Sequence, residues 1–371
     1  MEKILNKILR VTAVLMLALG LWNCDNVIYD YEEDCPPAEE PGPGPSDPGP
    51  SEPDPGPAPE DPKRAAYYVE YVFDMNMQFV DAFSERVQSV DLWVFTPGGN
   101  LVGKYHEEGP ALRAAGYRME LTELGAGSYE LIAWCGLGDN RGYFTVPGLG
   151  QTGQRHQVVC TLGTKSDAEH GSYQDENLTA LYHGRKPEAV YTEAQEDQVH
   201  TIYLTKNTNN INLTLQHKDG LEFAKDRFEV RMHDENGTML YDNSVPEGTE
   251  IEYRPYRTTL GRVRSEGASS GSTMGNYLQV ELSTARLLKD HNPLITVTDT
   301  ETGKTIFSIP LVKWALKLRS SNYGTMEEQE YLDREDNYNL MLWLDNDDQG
   351  WFGVEIDIKD WHVIEDESQI K

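Results

Sequence analysis

Val90-Asp91-Leu92-Trp93-Val94-Phe95-Thr96-Pro97-Gly98-Gly99-Asn100-Leu101-Val102 reads as two β-strands and the turn between them. β-Branched and aromatic side chains fill the first run, and Pro97 with two glycines breaks it before Leu101-Val102 resumes. Such side chains fit a pleated surface, whereas Pro and Gly supply the backbone angles of a tight turn. The same texture recurs around it. Residues 67–73, 129–135, 157–162 and 199–204 are runs of Val, Ile, Tyr, Trp and Phe parted by clusters of Gly, Asp, Asn and Pro.

A second set begins at Thr208. Ile211, Leu213 and Leu215 alternate with Asn212, Thr214 and Gln216, the two-residue period of a half-buried strand. Asn236-Gly237, between residues 228–232 and 239–241, predicts a hairpin. Further strands are expected at 277–282, 294–297, 305–309, 338–344 and 352–358. Helical spacing occurs at Leu311, Trp314, Ala315 and Leu318, ahead of a Glu-rich stretch over 326–334. The pattern predicts an all-β chain: two tandem antiparallel β-sandwiches, with a short helical insertion in the second. Residues 205–208 form the seam, so the N-terminal sandwich covers 63–205 and the C-terminal one 206–371. A chain of 371 residues also exceeds what one core usually holds.

The N-terminus carries a signal of its own. Lys3, Lys7 and Arg10 precede an apolar run over 11–22 that ends at Asn23-Cys24. The run suits the core of a secretory signal and falls short of the about 20 residues of a spanning helix. Leu21, three residues before Cys24, matches a bacterial lipobox, although Trp22 and Asn23 depart from its usual small residues. Removal of 1–23 and lipidation of Cys24 are therefore expected, giving the two or more acyl chains that stable attachment requires. Residues 24–35 form an acidic segment similar to the export signal of surface lipoproteins in the phylum Bacteroidota. Residues 36–62 contain only Pro, Gly, Asp, Glu, Ser and Ala. With no apolar side chain to offset the entropy of ordering, this segment is expected to be a disordered tether. In polyproline II form, at about 3.1 Å per residue, it reaches on the order of 80 Å.

The formal charge of −30 excludes nucleic acid and polybasic attachment to anionic lipid as functions. No P-loop, G-x-G-x-x-G, G-x-S-x-G or H-E-x-x-H occurs, so no catalytic, cofactor or metal site is expected. Asp345 to Gly350 opens like a calcium loop, but Ile356 stands where a bidentate Glu is required; a polar turn is the better account. Asp333-Arg334-Glu335-Asp336 offers paired carboxylates and reads as a solvated helix end. His183 lacks a partner at metal-ligand or nucleophile spacing and is read as structural. Cys135 and Cys160 are either two buried thiols or one bridge, and no C-x-x-C pair exists.

Several pieces in order carry a resemblance: Phe73-Asp74-Met75-Asn76-Met77, Ala133-Trp134-Cys135-Gly136-Leu137, Leu181-Tyr182-His183-Gly184 and Tyr253-Arg254-Pro255-Tyr256. Leu282-Ser283-Thr284-Ala285-Arg286-Leu287 and Gln329-Glu330-Tyr331-Leu332-Asp333-Arg334-Glu335-Asp336 follow. Together they resemble the fimbrillin-A-associated anchor family of Bacteroidales type V fimbriae. That resemblance implies two transthyretin-like sandwiches and a lipidated, non-enzymatic protein at the base of a fimbrium in the outer membrane. Its partners would be a fimbrial stalk subunit, joined by β-strand addition, and accessory fimbrial subunits. Stalk subunits of such fimbriae lose an N-terminal segment to an arginine-directed protease, which an anchor should escape. Arg64 and Arg86 are the protease-sensitive candidates here. Trp361, Val363 and Ile364 form the candidate strand-addition segment, with closure of the chain's own second sandwich as its other role. A surface glycan-binding lipoprotein and a fimbrial tip or adhesive subunit are the alternatives.

Overall fold

Alternating apolar side chains build most strands where the sequence places them. The computed structural model describes residues 65–137, 143–168, 171–218, 220–248, 250–264, 273–344, 351–357 and 362–366. The first strands are β1 (Tyr67–Val72), β2 (Ser89–Phe95), β3 (Leu101–Glu108), β4 (Met119–Glu120) and β5 (Gly127–Cys135), with helix α1 (Phe83–Arg86) after β1. Short strands β6 (Phe144–Thr145), β7 (Cys160–Leu162), β8 (Lys165–Asp167) and β9 (Gly171–Gln174) lead to β10 (Tyr182–Tyr191) and β11 (Gln198–Lys206). Next come β12 (Thr208–His217), β13 (Phe228–Asp234), β14 (Thr238–Met239), β15 (Ile251–Tyr253), β16 (Arg257–Arg264) and β17 (Thr273–Ala285). β18 (Leu294–Asp299) and β19 (Lys304–Pro310) precede the helices α2 (Leu311–Asn322) and α3 (Glu328–Arg334). The chain then runs through β20 (Asn337–Leu344), β21 (Trp351–Asp357) and β22 (His362–Asp366).

The first sandwich is a seven-stranded sheet, β3-β2-β5-β10-β11-β1-β4, folded over its own core. The second sets β16-β17-β12-β20-β21-β22 against β19-β18-β13-β15-β9-β8, and a small β14-β7-β6 sheet adds Phe144, Cys160, Leu162 and Met239 to its core. β2 shows why the opening stretch is so apolar: every residue in it is buried. Val90, Leu92 and Val94 enter the first core, while Trp93 and Phe95 point the other way into the second core beside Phe144, Val158 and Cys160. A strand covered on both faces reads as a continuous apolar run rather than an alternating one. β12 is the opposite case. Ile211, Leu213 and Leu215 are buried with Leu278, Val280, Leu340 and Leu342, while Asn210 and Asn212 bond Asn337 and Asn339 on the outer face. Each such buried aliphatic side chain stabilises the fold by roughly 1.5–3 kcal/mol.

Three expectations need correcting. The Asn236-Gly237 hairpin does not form: β13 pairs with β15 and β18, and β14 pairs with β7. Asn236 is buried instead, its amide donating to Arg286 O (3.0 Å) and its carbonyl accepting from Tyr253 Oη (2.6 Å). Nor are the sheets wholly antiparallel, because β1 lies parallel to β11, β12 to β20 and β9 to β15. These strands meet across long stretches of intervening chain, so no hairpin dictates their direction. Finally, residues 144–174 pair with strands of the second half, through β7 on β14 and β9 on β15, so sheet membership crosses the seam. The seam itself is tight. Asn207 alone separates β11 from β12; it is fully buried, its N donates to Leu181 O (2.7 Å), and its amide bonds Asn243 Oδ1 (2.5 Å).

Candidate functional site

β1 is an interior strand. Its residues pair with β11 from Tyr67↔Gln198 to Val72↔Tyr203, and on the other side with β4 at Tyr68↔Glu120 and Val69↔Met119. Tyr67, Val69 and Tyr71 alternate into the core, followed by Phe73. The Tyr67 ring lies 4.7 Å from Tyr191, and Phe73 meets Tyr182 edge-on at 4.9 Å. Beyond β1, Asp81 Oδ1 accepts hydrogen bonds from Phe73 N (2.8 Å) and Phe83 N (3.0 Å), closing the loop into α1.

Arg334, at the end of α3, reaches this loop from 260 residues away. Its Nη1 donates to the carbonyls of Asp74 (2.8 Å) and Asn76 (3.2 Å), and its guanidinium lies 4.5 Å over the Phe79 ring. Glu330 holds Nε of the same guanidinium at 2.8 Å. Its neighbours are equally committed. Asp333 takes a bidentate pair from Arg286 (2.8 and 2.7 Å), and Asp336 holds Lys206 at 2.5 Å. Glu335, fully buried, accepts from the backbone N of Asp336 and Asn337. Arg334 and Asp336 thus clasp the two sandwiches together while Asp333 and Glu335 are tied within the second, and the run is not a solvated helix end.

His183 sits in the same joint. It is buried edge-on against Trp134 (4.6 Å), and its Nε2–H donates to Tyr241 O (2.9 Å). The next residue, Gly184, lets β10 approach β11 closely: a Cβ there would lie 2.4 Å from Ile202 Cγ2. Burial lowers the His183 pKa to about 4 from 6.5. A depressed histidine pKa means that the unfolded chain takes up the proton first. The stabilisation is complete above about pH 6.5 and is lost as pH falls through 4. Between pH 7.5 and 4 this group alone should cost about 3 kcal/mol. In urea unfolding, His183→Gln should show that much less acid sensitivity than the parent chain; identical pH profiles would exclude a His183 contribution.

Cys135 and Cys160 are both free and buried, and burial pushes both thiols up. They belong to different cores, Cys135 to the first and Cys160 to the second. Arg86 is exposed at the end of α1, where its N donates to Ala82 O (3.0 Å) and the following Val87 N to Phe83 O (3.0 Å). Cys24, Arg64 and Trp361 lie outside the described residues, as do residues 345–350, where a polar turn is expected. Val363 and Ile364 fall in β22, opposite Ile356 and Glu355 of β21. Among the described residues β22 ends its sheet, with β21 as its one neighbour. Among the described residues no group of three or more His, Cys, Asp or Glu side chains gathers to hold a metal.

Residues 55–367 match the family described as fimbrillin-A associated anchor proteins Mfa1 and Mfa2. The chain belongs to this family. Within it, the minor fimbrium anchoring subunit Mfa2 of Porphyromonas gingivalis is 23% identical over 309 residues, covering 82% of this chain and 79% of that one. The solved structure of the fimbrial anchor protein Mfa2 from Porphyromonas gingivalis shares the fold, with a TM-score of 0.61 and 17% identity over 81% of this chain and 99% of its own. A candidate adhesin from Bacteroides thetaiotaomicron has a TM-score of 0.70 and 27% identity, covering 83% of this chain and 99% of its own. Membership in the fimbrillin-A associated anchor family places the chain with fimbriae at the cell surface, among structural and anchoring proteins. The Arg334 clasp and the β1 loop are the parts of this family member whose joint role the sequence did not reveal.

Proposed function

We propose that this chain is the lipid-anchored base of a fimbrium. It is a non-enzymatic protein of the outer membrane surface, fixed through Cys24 and joined to the first stalk subunit by β-strand addition. The placement of β1 carries the reading. A protein held by its N-terminus must keep its first strand, and here β1 has a neighbour on each side and a loop clasped by Arg334. Proteases bind their substrates extended, so cutting after Arg86 requires the turn from Ala82 to Val87 to unwind first. Arg64, expected at the end of the tether, is where a cut would release both sandwiches together.

Toward the C-terminus, β22 has one strand neighbour among the described residues, the arrangement from which a strand can leave to complete another subunit's sheet. Truncation after Lys359 tests this. The proposal expects the shortened protein to melt within a few degrees of the parent and to reach the surface, while fimbriae are shed into the medium. A loss of several kcal/mol on truncation would assign the segment to closure of its own sandwich instead. Normal stability with fimbriae still retained on the cell would rule out both roles.

A further inference from the structure

We propose that a cleft at one end of the first sandwich, lined by Arg86 and Arg113, binds an acidic peptide segment of a partner protein through its carboxylates. The cleft measures about 620 Å³, a size that takes a small ligand or a short stretch of chain. It forms where the β1–β2, β3–β4, β5–β6 and β9–β10 connections converge. Arg86 closes α1 and Arg113 closes the 3₁₀ turn Gly109–Arg113. Both side chains are exposed.

Two guanidinia without a carboxylate partner in one cleft are what set the site apart. Elsewhere among the described residues most arginines are held by acids, as Arg118 is by Glu70, Arg185 by Glu130, Arg227 by Asp299 and Arg286 by Asp333. Arg86 and Arg113 have no carboxylate within ion-pairing distance among these residues, and both open into the same space. Glu108 is the one acid in the lining, and it leans toward His106 at 3.7 Å. The local balance is therefore positive on a protein of net charge −30. At physiological salt the Debye length is about 8 Å, so the remote acids are screened and the two guanidinia govern what enters. Guanidinium forks match carboxylates in two-point contacts.

The walls favour a peptide over a sugar. Gly109, Gly136 and Ala180 bring main chain to the surface of the cleft, and Gln88 and Thr179 add side chains that can bond a peptide backbone. Gly136 has φ +96°, and a Cβ there would lie 2.2 Å from Ala180 O, so the two connections touch backbone to backbone. Tyr182 is the single aromatic lining residue; it is buried and meets Phe73, leaving no ring face on which a pyranose could stack. The inference is independent of the anchoring role, since any acidic partner segment at the surface would serve.

The test uses the full chain in detergent and fluorescein-labelled hexa-aspartate, followed by anisotropy. Binding should weaken about tenfold or more in Arg86→Gln/Arg113→Gln, with the melting temperature unchanged because both side chains are exposed. Arg262→Gln, which removes an arginine outside the cleft, should leave binding as it was. Absence of binding by the parent chain, or equal loss in Arg262→Gln, would overturn the site. Competition by hexagalacturonate or inorganic phosphate as strong as that by unlabelled hexa-aspartate would overturn the peptide assignment.

Discussion

Cys24→Ala is expected to move the protein from the detergent phase to the soluble fraction and to abolish labelling by fatty acid. The expectation rests on Lys3, Lys7 and Arg10, the apolar run behind them and Leu21 three residues before the cysteine. Acyl chains contribute about 0.8 kcal/mol per buried CH₂, and two or more are needed for a hold that does not exchange. The charge of −30 disfavours attachment to anionic lipid, and among the described residues no helix is long and apolar enough to cross a membrane. A fimbrium built on the variant should accordingly appear in the medium with its base attached. If Cys24→Ala stays membrane-bound and labelled, lipidation at this residue is wrong.

Asp333→Ala should cost about 3–5 kcal/mol, the effect of leaving a largely buried cation without its acid. Arg286 donates Nε and Nη2 to Asp333 at 2.8 and 2.7 Å and Nη1 to Asn243 O at 2.7 Å. Both side chains are largely buried, at 14% and 9% exposure, so water cannot take over the lost contact. The melting temperature should fall on the order of 10 °C. The double variant Arg286→Met/Asp333→Leu should recover much of that loss, because it removes the charge together with its partner. A single variant that melts with the parent would show that the Arg286–Asp333 pair contributes nothing to stability.

Strand positions were legible where apolar runs were long. β1, β2, β5, β11, β12 and β20 lie within two or three residues of expectation, and α2 follows the spacing of Leu311, Trp314, Ala315 and Leu318. β10 was missed because Arg185-Lys186-Pro187-Glu188 interrupts it, and the structure takes up that interruption as an irregularity between Lys186 and Ala189. β8 and β9, Lys-Ser-Asp and Gly-Ser-Tyr-Gln, have no apolar run at all; β9 is fixed by its partner β15, remote in sequence. Asn236-Gly237 misled for the converse reason, since a local turn preference lost to a buried amide with two good partners. The residues of these ion pairs and of the clasp stand in two of the pieces that carry the family resemblance, Arg286 in one and Asp333-Arg334 in the other. Nothing in either piece says that they meet. One pairing spans 47 residues and the other 260, and only the folded chain brings such groups together.

β1 also determines how the molecule answers a pull. In the proposed anchoring role, drag on a fimbrium would enter the described chain at Ala65, two residues ahead of a strand with a neighbour on both sides. Drawing β1 out lengthwise means shearing its ladder with β11 and β4 at once, whereas an edge strand would peel bond by bond. Should the ladder begin to slip, the next segment to tighten is the loop at Asp74 and Asn76, which Arg334 ties to the other sandwich. Arg334 would thereby pass part of the load to the second sandwich. The protein should resist tugging far better than its thermal stability alone would indicate.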